Sequence, residues 1–167
     1  MADSKRILIV GGGIAGLTLA VALRRRQIAV DLVELEPAWN ILGVGISLTG
    51  PTLRALASIG LIDRCVGAAF GFDRILFADA AGRQVGALNM PRLAGPQYPA
   101  TLAIGRPALH DVLIGSAREC GAAIRLGTTV HSLDQRSDAV DVAFSDGCSA
   151  SYDFVVGCDG KIGRAHV

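Results

Sequence analysis

The chain has almost no surplus charge. Sixteen Lys and Arg stand against fifteen Asp and Glu, a net charge of +1 over 167 residues. That balance argues against the basic stripe that nucleic acid or an anionic membrane surface requires. The one basic run, Arg24-Arg25-Arg26, falls where a first helix should end, and it reads as a solvated helix end that suits the macrodipole. Cysteine is sparse and unpatterned. Cys65, Cys120, Cys148 and Cys158 form no CxxC pair, and no histidine lies near enough to suggest zinc, so no metal site is expected. Free thiols in a reducing, cytoplasmic setting are the expectation. Long apolar runs are missing too. Ile7–Val10 is too short for a signal peptide, and nothing approaches a membrane span. There is no internal repeat and no low-complexity tract. What remains is core-forming material: 51% hydrophobic residues, mean hydropathy +0.45 and a length that suits one domain.

The most informative segment is Arg6 to Glu34. An apolar run, Ile7-Leu8-Ile9-Val10, leads into Gly11-Gly12-Gly13-Ile14-Ala15-Gly16 and the apolar stretch Leu17–Leu23. A second apolar run, Ile28–Val33, is closed by Glu34. This is strand, glycine turn, helix, strand, acid, the apparatus for the ADP half of a dinucleotide. Gly11 permits the sharp exit from the strand, Gly13 lets backbone approach a diphosphate, and Gly16 lets the helix lie close on the strand. The helix opening at Ile14 and Ala15 offers unpaired N–H groups and partial positive charge to the phosphates. Glu34, with Leu35 beside it, comes 18 residues after Gly16, near the expected ~20, and can accept from a ribose diol.

Further along, periodicity predicts a helix over residues 14–26, with Gln27 where a capping glycine would be usual. A parallel strand follows over Ala29–Glu34. Residues 36–50 read as a glycine-rich loop. Helices are expected over 51–59 and 61–69, a hairpin over 73–79 and 84–90, and an extended run over 100–105. Residues 107–120 form an amphipathic helix with Leu109, Val112, Leu113, Ala117 and Cys120 on one face. Residues 123–126 read as a buried parallel strand. Residues 128–135, 139–145 and 148–151 read as a three-stranded meander, and 154–157 as a last buried strand.

Together these pieces resemble the flavin-dependent aromatic-ring monooxygenases of the para-hydroxybenzoate hydroxylase class. The resemblance rests on the glycine turn, Glu34, Gly43-Val44-Gly45-Ile46-Ser47, Gly105-Arg106-Pro107-Ala108-Leu109, the meander, and Val155-Val156-Gly157-Cys158-Asp159-Gly160. It implies an α/β fold: a Rossmann-like FAD-binding βαβ unit with a parallel sheet, a three-stranded β-meander and part of an antiparallel substrate-side sheet. It implies segments 1–70 (FAD-binding βαβ and flavin loop), 71–104 (partial substrate-side β segment) and 105–167 (remainder of the FAD-binding domain). It also implies that Gly45 and Ser47 meet the cofactor from a mobile loop. Arg106 would contact FAD near its phosphates or the flavin-side linker, and Val130 would pack by its backbone at the adenine. Asp159 and Gly160 would serve FAD and a transient NAD(P)H. The reaction would use O₂ and a small aromatic substrate. Two departures stand out. Gly163 and His166 occupy places where the family carries serine and arginine, although Arg164 is present. Only seven residues follow Gly160, so the resemblance is to an N-terminal portion, for which weak activity and self-association through unpaired sheet edges are expected.

In such proteins the flavin carries the hard chemistry, so no catalytic side chain is assigned. His110 reads as a surface or capping residue, His131 as an ordinary strand position, and Trp39 as packing in the loop. Two other readings compete: a nicotinamide dehydrogenase, which needs a second strand–helix–strand unit after Glu34, and a non-catalytic nucleotide-binding remnant.

Overall fold

The computed structural model describes residues 5–40 and 43–160. The Lys161–His166 departures therefore lie outside the described residues, as do Ile41 and Leu42 of the glycine-rich loop. In chain order the elements are β1 (Arg6–Val10), α1 (Ile14–Arg24), β2 (Ala29–Glu34), β3 (Gly45–Thr49), α2 (Gly50–Ser58), α3 (Ile62–Gly67), β4 (Phe70–Phe72) and β5 (Arg74–Ala78). Then come β6 (Gln84–Asn89), β7 (Thr101–Gly105), α4 (Arg106–Glu119), β8 (Ala123–Leu126), β9 (Val130–Gln135), β10 (Val140–Phe144), β11 (Ser149–Tyr152) and β12 (Phe154–Gly157). They divide into two compact units, Met1–Asn40 with Leu113–Val167, and Ile41–Val112.

The first unit is a mixed α/β assembly on a four-stranded parallel sheet, ordered β12-β1-β2-β8. Strand alternation sends β1 side chains to two sides. Ile9 faces α1, since a Cβ on Gly16 would stand 3.2 Å from its Cγ2. Leu8 and Val10 face the other way and, with Val33 of β2, pack on Val142, Phe144 and Tyr152 of the antiparallel meander β11-β10-β9. Helix, parallel sheet and meander thus form three layers, with Leu8, Ile9, Leu17, Leu32 and Val33 wholly buried between them. The outer strands are less buried than their apolar runs suggested: none of the four residues of β8 or of β12 is fully buried, and Phe154 is 57% exposed. Each lies at a sheet edge with one neighbour, where an unbroken apolar run does not mean burial on both faces.

Two details at the end of α1 refine the sequence reading. Gln27 has φ 62°, so it occupies the left-handed capping position without glycine's freedom. Arg24 is not simply solvated. It is half-buried, and its guanidinium donates to the carbonyls of Cys120 (3.0 Å) and Ile28 (3.0 Å), tying the helix end to the turn before β8. Arg25 and Arg26 are exposed as expected.

In the second unit an antiparallel sheet, β3-β7-β4, carries α2 and α3. Leu48, Leu53, Leu56, Leu61, Ile62, Leu102 and Ile104 are buried there. Part of the segment read as a loop is therefore the strand β3, paired over its whole length with β7. Its glycines hid the pattern, and the partner strand supplies the order that local propensity does not. β4 is only three residues long and escaped sequence reading. The hairpin β5–β6 forms as predicted, with a register shift at Phe77/Ala78. Asp73 anchors it: its carboxylate accepts from Arg92 and from the Ala100 amide (2.8 Å), and the Arg92 guanidinium holds that carboxyl below its ordinary range. His110, read as a surface or capping residue, is 2% exposed. It lies next to Leu109 on the inward side of α4, where the amphipathic pattern of that helix begins.

Candidate functional site

In the first unit, the carboxyl ends of β1, β2 and β12 converge on a cleft of about 330 Å³. It is lined by Val10, Gly11, Gly13, Glu34, Leu35, Glu36, Thr129, Cys158, Asp159 and Gly160. Open parallel sheets place ligands at this end of their strands, and the volume falls at the lower end of small-ligand pockets.

Each glycine of the first turn has its own physical reason. Gly11 has φ +109°, and a Cβ there would stand 2.5 Å from the Cys158 carbonyl oxygen. Its amide donates to the Val33 carbonyl at 2.8 Å, while the Cys158 amide donates to Val10 at 2.6 Å, so the three strand ends are stitched together at this point. A Cβ on Gly16 would overlap the Gly11 carbonyl oxygen. Gly13 differs from both: it is exposed, and a Cβ there would meet nothing within 4 Å. It is the N-cap of α1, whose start has neither a side-chain cap nor an acidic residue in its first turn. The first amides of α1 thus lack intrahelical acceptors and side-chain competitors, and they carry the positive end of the macrodipole. The residues fit an anion against the helix opening.

Glu34 sits at the end of β2 with its carboxylate already oriented. One oxygen accepts from the Gly12 amide at 2.7 Å and the other from the Glu36 amide at 3.0 Å. The chain around it is fixed by the Thr128 amide on the Glu34 carbonyl (2.9 Å) and the Gly127 amide on the Glu36 carbonyl (3.0 Å). Each carboxylate oxygen keeps a lone pair for a further donor. Burial, and then the Asp159 charge, push the Cys158 thiol up, so it remains neutral near pH 7 and adds no negative charge at the cleft.

Of the residues expected from sequence, Gly11, Gly13, Glu34, Leu35, Asp159 and Gly160 share this cleft, with Ile14, Ala15 and Gly16 opening the adjoining helix. Val130 follows the cleft residue Thr129, and its side chain packs on the core cluster. Gly45, Ser47 and Arg106 lie in the second unit. Gly45 pairs with Gly105, Ser47 with Ala103, and the Arg106 amide donates to the Val44 carbonyl at 3.4 Å. The Arg106 side chain runs along Gly43, where a Cβ would stand 3.0 Å from its Cδ. Sequence reasoning assigned Gly12, Glu36, Thr129 and Cys158 to no site. Their signal was adjacency: each neighbours a residue that was chosen. Among the described residues there is no cluster of three or more His, Cys, Asp or Glu that could hold a metal, and no helix long and apolar enough to cross a membrane.

The fold and cleft define a dinucleotide-binding α/β protein. A family model described as "FAD binding domain" matches residues 4–166. The chain belongs to this family of FAD-binding proteins, and several of its relatives are named as monooxygenases. It is 33% identical over 160 residues to the 3-amino-4-hydroxybenzoate 2-monooxygenase of Streptomyces cremeus, covering 93% of this chain and 39% of that protein. It is 30% identical over 154 residues to the aurachin C monooxygenase/isomerase of Stigmatella aurantiaca, covering 92% and 40%. Among solved structures it shares the fold of p-nitrophenol 4-monooxygenase PnpA from Pseudomonas putida DLL-E4 (TM-score 0.82, 24% identity, 99% of this chain and 43% of that one). A mutant of 2-methyl-3-hydroxypyridine-5-carboxylic acid oxygenase, Y270F, is similar at TM-score 0.79 and 26% identity, covering 95% and 40%. The chain spans about two-fifths of the length of these relatives.

Proposed function

We propose that this chain holds the ADP half of FAD in the cleft of its first unit, as the flavin-binding part of an NAD(P)H-dependent monooxygenase acting on a small aromatic molecule. The observation that carries the reading is the Glu34 carboxylate, fixed by the Gly12 and Glu36 amides beside a helix opening that has no cap and an unobstructed Gly13. In this reading the amides around Gly13, Ile14 and Ala15 take the diphosphate, with Gly11 and Gly16 shaping the turn. Glu34 accepts from the ribose diol, and Leu35 and the backbone at Val130 border the adenine. Asp159 and Gly160 close the cleft from the end of β12 and serve both FAD and the visiting nicotinamide. Gly45, Ser47 and Arg106 serve the flavin side, and the 71–104 stretch belongs to the substrate side. When bound, the flavin passes electrons from NAD(P)H to O₂ and oxygen to the substrate. The chain's own residues bind it, orient it and keep water from its phosphates.

Two further points belong to the same reading. β3 joins an antiparallel sheet rather than opening a second parallel strand–helix–strand unit, which disfavours a two-halved dehydrogenase. The β5–β6 hairpin exposes Leu76, Phe77, Val85 and Leu88 at 50% or more, which supports self-association of the isolated chain. The test is to incubate the purified chain with FAD, remove unbound flavin and record the visible flavin bands, then follow NAD(P)H oxidation. Retained flavin, weak or substoichiometric, is expected. Retention without NAD(P)H oxidation would limit the chain to nucleotide binding. A colourless protein that does not bind ADP would refute the proposal.

A further inference from the structure

Gly12 sits between two side chains. A Cβ placed on it would stand 2.7 Å from both Cη2 and Cζ3 of Trp39 and 3.2 Å from the Glu34 Cβ. The indole edge therefore lies against the Gly12 backbone at the peptide whose amide donates to Glu34 at 2.7 Å. Trp39 is half-buried and Gly12 buried, whereas Leu35, Glu36, Pro37 and Ala38 between Glu34 and Trp39 are exposed. The loop leaving β2 thus runs over the surface and returns one large ring to the glycine turn. A ring there does two physical things. It fills the space beside Gly12 on the side where the Glu34 stem also stands, so that turn, stem and ring pack together, and it shields the charge-assisted hydrogen bond between them from competing water, which strengthens the bond.

Resting on the proposed ADP site, we infer that Trp39 is a positioning residue for nucleotide binding: it acts through Gly12 to hold the Glu34 carboxylate where a ribose diol meets it. Trp39 touches no ligand in this role. Its effect passes entirely through the Gly12–Glu34 contact, which separates it from a residue that merely fills the core. Trp39 is also the only tryptophan in the chain, so its emission reports directly on the turn.

The test is ADP titration of the full chain by calorimetry, with W39A, W39F, E34Q and the double variant W39A/E34Q, and by Trp39 fluorescence in the wild type and E34Q, which keep the indole. The expected result is a change in Trp39 emission on ADP binding to the wild-type chain and an affinity about tenfold lower in W39A, the scale of one misplaced charge-assisted hydrogen bond. W39F, which keeps a ring of shorter reach, should lose about threefold. In the E34Q background W39A should cost about twofold or less, because residues acting through one contact are not additive. Equal losses in both backgrounds, or no loss in W39A, would overturn the inference while leaving the site in place. If W39A does not fold, the comparison of W39F with W39F/E34Q decides by the same criterion. Failure of the wild-type chain to bind ADP would remove the site itself and the inference with it.

Discussion

Gly13 and Gly16 lie three residues apart in one turn, and the structure gives them opposite sensitivities to a single methyl group. In Gly16→Ala the new Cβ overlaps the Gly11 carbonyl oxygen and stands 3.2 Å from both the Gly11 carbonyl carbon and Ile9 Cγ2. Gly11 cannot retreat, because its amide is held on Val33 at 2.8 Å and its other side is filled by the Cys158 carbonyl. Overpacking of this kind costs about 1–3 kcal/mol, and alanine's helix propensity returns about 1 kcal/mol at most. Against a backbone obstacle the upper part of the range applies, so the net loss should be about 1–2 kcal/mol, or roughly 2–8 °C in Tm for a chain of this size. Gly13→Ala should cost only about 0.5–1 kcal/mol, the ordinary penalty for alanine in place of glycine at an N-cap, since its Cβ meets nothing and its φ of −73° suits any residue. The same Cβ projects where a diphosphate would approach. Displacing one or two charge-assisted hydrogen bonds at about 1.5–3 kcal/mol each weakens ADP by at least tenfold. Urea unfolding and ADP calorimetry on both variants are the assay. A Gly13→Ala protein that binds ADP like the wild type, or that unfolds as readily as Gly16→Ala, would refute the assignment of roles.

Other consequences are equally specific. Gln27→Gly should raise stability by about 0.5–1 kcal/mol in urea unfolding, because it relieves a left-handed non-glycine residue whose penalty of about 1–2 kcal/mol exceeds the entropic cost of glycine. Tyr152 is buried and its hydroxyl donates to Asp31 at 2.7 Å, so Tyr152→Phe should lose about 1–2 kcal/mol. Burial first, and then the Asp31 contact, push the Tyr152 phenol up to about 12. The folded state holds this proton more tightly than the unfolded chain, so the contribution is complete below pH ~10 and is lost as pH rises toward 12. The wild type should lose more stability than Tyr152→Phe across that window, and parallel losses would contradict the assignment. Replacing Leu76 or Phe77 by Lys should make the sedimentation of the isolated chain less dependent on concentration, since both are at least half exposed on the hairpin.

The βαβ unit was legible in the sequence because every constraint there is local. A strand exit and a helix-to-strand contact each demand glycine within six residues, and the acid follows at a fixed chain distance. The meander was legible because alternation and turn residues recur at short range. What escaped was decided by partners distant in sequence. β3 is a strand because β7 lies beside it, 60 residues away at the Gly45–Gly105 pair and never nearer than 52, at Thr49–Thr101. The exposure of β8 and β12 follows from their place at the sheet edges, which their own apolar runs do not reveal. Arg24 looked like one of three equivalent basic residues, yet it reaches the Cys120 carbonyl. The site shows the same division. Glu34 announces itself by spacing, whereas the Gly12 and Glu36 amides that aim it are visible only once the chain has folded.

The most direct measurement of the central claim is an ADP titration of the isotope-labelled chain followed by its backbone amide resonances. Binding at the proposed place predicts saturable shifts largest at Gly13, Ile14 and Ala15, with smaller ones at Gly12 and Glu36, and a smaller response in Glu34→Gln at matched, subsaturating ADP. Shifts confined to other parts of the chain, or none at saturating ADP, would contradict it.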